Sequence, residues 1–166
     1  MHLRTTAVVH EKSNASLIIA AILFGVFVIA METVFKDAVR LPGHRAFPGA
    51  LGLLIFAQAF APMMLVIFAG SVSTFLVMAG YLNPWFIGVW MITAAVIWVA
   101  SRTRLADTLG YFLLCGLIFG LMSFLVKMSG FHHTPQTFRA AGYIAFGALG
   151  GLTSFGVIRG LKHVQQ

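Results

Sequence analysis

From residue 50 to residue 82 the chain runs 33 residues without one charged side chain. As a single helix rising 1.5 Å per residue, that stretch would be roughly 50 Å long. A bilayer's hydrocarbon core is only about 30 Å thick. Pro62 stands near the middle, and proline removes a backbone donor and breaks or kinks a helix. The stretch is therefore read as two spans, residues 50–61 and 63–80, joined by a tight uncharged turn at Pro62. The alternative keeps one kinked helix here and gives five spans in all instead of six.

The rest of the chain has the same character. Of its 166 residues, 60% are hydrophobic and 9% charged, with a mean hydropathy of +0.95, whereas soluble domains carry about 25% charged residues. No soluble core of this size hides so much apolar surface, so lipid must solvate part of it. The expected fold class is an all-α polytopic membrane bundle, one transmembrane domain over residues 1–166. The net charge of +7 is not read as a nucleic-acid signal. The basic residues stand singly at the ends of apolar runs, where they set topology and meet anionic head groups. Cys115 lies alone inside an apolar run and supports neither a disulfide framework nor a cysteine metal site.

Six spans are expected, at about residues 15–34, 50–61, 63–80, 85–100, 107–126 and 140–158. The first is too long for a signal peptide and is followed by no small-residue cleavage site. Ser13 and Asn14 are candidate N-caps for it, and Ala21 and Gly25, four apart, give it one small face. After it comes the most polar segment of the chain, Glu32 to Gly49. This holds two of the four acids, Glu32 and Asp37, with Lys36, Arg40, His44 and Arg45. Two proline–glycine pairs, at 42–43 and 48–49, are expected to stop helix on both sides. Glu32 ends an apolar run, where a buried carboxylate is costly and tends to be functional. Lys36, four residues on, is its expected partner. The hydroxyls of Ser71, Ser73 and Thr74 are read first as packing and interhelical hydrogen-bonding groups.

The remaining spans follow in order. Tyr81 to Trp85 makes a turn with interfacial aromatics, and Asp107 is the expected cap of the fifth span. Residues 127–139 form a second polar loop with His132, His133, Gln136 and Arg139. The adjacent histidines have no Cys, Asp or Glu close by in that loop, so no metal is expected there. The last span is glycine-rich, and Gly147 and Gly151 mark it as central and closely packed. Charge alone does not orient the bundle. Six spans divide the basic residues six against five, and five spans divide them seven against four. Helix length and Pro62 favour six.

This layout resembles a substrate-binding S component of the energy-coupling-factor vitamin transporters. The resemblance covers residues 15–162. It rests on an apolar turn with a proline (FAQAFAPMMLVIFAGSVSTFL), a Tyr/Asn-Pro-aromatic turn (YLNPWF) and a glycine-rich last span with a basic end (GYIAFGALGGLTSFGVIRGLK). It implies six spans with both termini cytoplasmic, and a long first loop on the outer face. It further implies a transmembrane coupling protein and ATPase subunits as partners. Ala21 and Gly25 match the small patch with which such proteins dock. One branch of the family starts Met-His and carries metal. This chain starts Met1 and His2, but LRTTAVVH departs from that branch's continuation, so metal is not carried over.

In the six-span layout the two polar loops and the Tyr81–Trp85 turn share one face. The candidate solute-binding set is Arg40, His44, Arg45, Tyr81, Trp85, His132, Gln136 and Arg139, with arginine forks for carboxylate or phosphate and aromatic rings for stacking. Ala21, Gly25, Gly147 and Gly151 are the candidate partner-interface residues. The expected function is capture of a small vitamin-like solute in a cell membrane, expected to be a bacterial inner membrane, with ATP supplied by other chains because no phosphate-binding loop is present. No cofactor is expected. A non-catalytic assembly subunit of a larger membrane complex is the rival. A membrane enzyme ranks last, because four acids and no nucleophile–base order supply little catalytic chemistry.

Overall fold

The computed structural model describes residues 14–38, 41, 43–59, 62–103, 105–106, 108–129 and 137–164. They form six helices: α1 (Asn14–Ala38), α2 (Ala46–Ala59), α3 (Pro62–Met78), α4 (Trp85–Ser101), α5 (Leu109–Ser129) and α6 (Thr137–Val164). The 33-residue apolar stretch is divided between α2 and α3. Pro62 opens α3 instead of occupying the turn before it, since a first-turn residue has no intrahelical acceptor for its N–H. Pro48 likewise does not stop a helix. It lies in the first turn of α2, where the missing donor costs nothing.

Local chemistry sets the other ends. Gly43, at φ +89°, turns the chain into α2, and the Ala46 N–H donates to its carbonyl at 2.8 Å. Gly80, at φ +76°, ends α3. The N–H of Gly80 donates to Val77 O at 3.0 Å and that of Tyr81 to Leu76 O at 2.9 Å, the paired bonds of a Schellman cap. The start of α5 is capped by Thr108, whose Oγ1 accepts from the Tyr111 N–H at 3.3 Å. The expected cap, Asp107, lies outside the described residues.

The shortest helix is the central one. α2 packs against all five others, while α1, α3, α4, α5 and α6 follow one another around it. α5 and α6 approach backbone to backbone. A Cβ on Gly116 would collide with the Gly147 carbonyl, and one on Gly151 with that of Phe112. Gly25 of α1 receives the Phe75 ring of α3, and Gly52 of α2 receives the Phe24 ring of α1. Ala21 is 1% exposed. The four small residues expected to face a partner therefore close contacts within the chain. Aromatic rings fill the middle: Phe24 lies 5.5 Å from Phe56, Phe56 4.3 Å from Phe68, and Trp90 5.5 Å from Phe119.

Polarity is inverted relative to a soluble bundle. Ile18, Ile19, Ile22, Leu23, Val26 and Phe27 of α1 are exposed, while the hydroxyl residues Ser73, Thr93, Ser123 and Ser154 are buried. Ser73 is buried, as expected of a packing residue, and its hydroxyl donates to Ala69 O of its own helix at 2.7 Å. Ser154 donates to Gly150 O at 2.7 Å and also reaches Leu51 O of α2 at 3.3 Å. Among the described residues, three helices are long and apolar enough to cross a membrane, through 20 residues in α1, 20 in α5 and 24 in α6. α2, α3 and α4 are apolar but shorter.

The glycine contacts make a direct prediction. Gly147→Ala pushes a methyl group into α5 and should destabilise the bundle by about 1–3 kcal/mol. Gly160→Ala meets nothing within 4 Å and should be neutral, or stabilising by up to about 1 kcal/mol through helix propensity. Thermal unfolding of the two variants in detergent checks both.

Candidate functional site

Because the helices alternate in direction, the end of α1, the start of α2, the α3–α4 turn and the start of α6 come together. Glu32 lies in the penultimate turn of α1 and is 8% exposed. A carboxylate so placed requires an opposite charge or donors. Arg45 supplies one. It sits in the turn that Gly43 makes before α2, and its Nη2 forms an ion pair with Glu32 Oε1. Its Nη1 donates to the Tyr81 carbonyl at 3.0 Å. The cap at Gly80 turns that carbonyl out of α3, so one guanidinium fastens three segments remote in sequence.

These groups border a pocket of about 320 Å³ lined by Glu32, Thr33, Arg45, Gly80 and Tyr81. The Thr33 hydroxyl donates to Ile29 O at 2.9 Å. The turn before α2 is seated on α6, because a Cβ on Gly43 would strike the backbone of Gly142 and Tyr143. Tyr143 in turn lies close enough to feel the charges of Arg45, Arg139 and Glu32. Arg45 is half exposed and Glu32 nearly enclosed, so the pair is reached from its guanidinium side.

Arg45 and Tyr81, from the expected set, meet at this pocket. His44 does not line it. Its ring lies in the neighbouring turn with Nδ1 2.9 Å from Leu41 O, while its Nε2 is buried without a partner. Trp85 is 74% exposed and stacks on nothing in the pocket. Its position suits an interfacial aromatic anchor, and its backbone N–H donates to Asn83 Oδ1 at 3.2 Å. Arg139 is exposed in the first turn of α6 and also stands outside the pocket lining. Arg40, His132 and Gln136 lie outside the described residues.

Glu32, Thr33 and Gly80 were absent from the expected set. For Glu32 the signal was present, a lone acid ending an apolar run. The side chain of its expected partner, Lys36, lies outside the described residues, and sequence spacing points to a helical neighbour before a residue thirteen positions away across a turn. Thr33 and Gly80 carry no such signal. No protein-family model, curated protein or solved structure matches this chain.

Arg45→Ala removes the counter-charge from a nearly buried carboxylate. A stability loss of about 1–3 kcal/mol is expected at neutral pH, less than for a fully buried pair because Arg45 is half exposed. The double variant Glu32→Gln/Arg45→Gln leaves no orphaned charge and should recover part of that loss. A double-mutant cycle on detergent melting curves measures the coupling.

Proposed function

We propose that this chain is a membrane-embedded, solute-binding subunit of a nutrient uptake transporter, a multi-pass protein of a cell membrane. On this reading it captures a small polar molecule at one face and depends on a transmembrane coupling protein and ATPase subunits for import, as the resemblance to the energy-coupling-factor S components implies. The observation that carries the reading is the pocket at Glu32, Arg45 and Tyr81. A charged fork and a carboxylate border a solute-sized space beside helices α2, α3 and α4, which carry no charged residue. Pockets with a few convergent polar groups in apolar surroundings are the usual form of small-molecule sites. The small patch at Ala21 and Gly25 is occupied within the chain, so coupling partners on this reading use other surfaces.

A second reading, a non-catalytic assembly subunit, is favoured by a different observation. Gly156 and Gly160, four apart on α6, have nothing within 4 Å and lie among the exposed Leu152, Val157 and Leu161. Small residues at this spacing admit a neighbouring helix.

Native mass spectrometry of the gently purified chain separates the two. The solute-binding reading expects a co-purifying nutrient-sized molecule that is lost in Arg45→Ala, and a melting temperature raised by adding that molecule back. Stoichiometric protein partners with no small molecule under any growth condition overturn it in favour of the assembly subunit.

A further inference from the structure

We infer that the Glu32–Arg45 pocket selects a zwitterion, an ammonium held by Glu32 and a carboxylate or phosphate oxygen held by Arg45. The inference rests on the solute-binding reading of this pocket and names the ligand's charge pattern. Its starting point is that the pocket lining, among the described residues, is electrically balanced. The acid and base bordering it are ion-paired, and the other lining residues, Thr33, Gly80 and Tyr81, are neutral.

Both charged groups keep capacity after pairing. The guanidinium offers five N–H donors, of which Nη2 turns to Glu32 and Nη1 to the Tyr81 carbonyl. The Glu32 carboxylate has two oxygens, of which Oε1 meets Arg45. A ligand carrying both signs completes a ring of four charges alternating in sign, and the pocket stays neutral. A free anion on Arg45 competes with Glu32 and leaves a net negative charge beside a carboxylate only 8% exposed. A free cation on Glu32 leaves the opposite excess. An uncompensated charge in a poorly solvated site is strongly disfavoured, so either monopolar ligand binds more weakly than the dipolar one.

The ligand's source is either a free solute or a lipid headgroup, because the pocket lies at the end of helices whose outer faces are apolar. A primary-ammonium headgroup and an amino acid offer the same two charges. Quaternary ammonium lacks the N–H donors that a carboxylate takes.

The test uses the full chain in detergent and in nanodiscs. Thermal shift is measured with α-, β- and γ-amino acids and glycerophosphoethanolamine. Each is set beside its analogue without the amine and its analogue without the acid. At least one zwitterion should bind roughly tenfold or more tighter than both of its analogues. In Glu32→Gln, where Arg45 is the one charged residue left in the described lining, the order should invert, with the amine-free anion binding tighter than its parent. In nanodiscs, retention of phosphatidylethanolamine over phosphatidylcholine by native mass spectrometry, with no shift from soluble zwitterions, supports the headgroup as the source. Shifts from soluble zwitterions support a free solute. Analogues that bind as tightly as their zwitterions overturn the charge pattern and leave solute binding standing. No shift from any probe, with no lipid retained, overturns both. The wild-type selectivity needs no variant to fold, so a failed Glu32→Gln preparation leaves the test intact.

Discussion

Close approach of helix backbones is the constraint on which this bundle depends. Lipid tails are as apolar as leucine, so helices in a bilayer gain little from the hydrophobic effect and associate through contact and hydrogen bonding. Contact improves as backbones near each other, and glycine permits that. Gly116 and Gly120 of α5 lie against Gly147 and Tyr143 of α6, and Gly150 of α6 lies against Phe47 and Ala50 of α2. These positions lock α2, α5 and α6 together. The aromatic side chains of Phe24 and Phe75 then fill hollows at Gly52 and Gly25 and bring α1 and α3 onto the same core. The exterior is left to aliphatic side chains, which suits a hydrocarbon solvent.

Within this frame, the described residues form an ion pair at one end of the bundle, where α1 ends and α2 begins. α2 has no charged residue, and neither do α3 and α4. Arg45, immediately before α2, therefore has few possible partners, and it takes the acid that α1 carries inward. The pair joins the ends of α1 and α2 to the α3–α4 turn at the point where a pocket remains. Its half-exposed guanidinium and enclosed carboxylate make this end of the bundle polar without opening the core to water. The same geometry gives the pocket its balanced charge, and hence the charge pattern of what it is proposed to hold.

Much of the fold was legible in the sequence because lipid imposes a simple rule. Every backbone donor and acceptor must be satisfied internally, so long apolar runs become helices. Helix number, the break near Pro62 and the shared face of the first loop and the Tyr81 turn all followed from run length and alternation of direction. Helix ends were less legible, because Pro48 and Pro62 act as first-turn residues and the hydroxyl of Thr108 helps to close the start of α5. The site was half legible. Arg45 and Tyr81 were named, but Trp85 was included for a ring that turns outward, and the pairing of Glu32 with Arg45 was not foreseen. Ala21, Gly25, Gly147 and Gly151 were recognised as small faces, yet composition carries no information on whether such a face meets another chain or another helix of its own.

By itself, then, the sequence determined that this chain is helical, that its outer surface is apolar, and that its polar chemistry lies in the segments joining the helices. Those properties follow from solvent and covalent geometry, which act residue by residue. Tertiary structure alone decided that the shortest helix is central, that the small faces are consumed inside the chain, and that Glu32 meets Arg45. These are contacts between segments distant in sequence, set by which side chains fit which hollows once the backbones are in contact, and no local pattern encodes that fit.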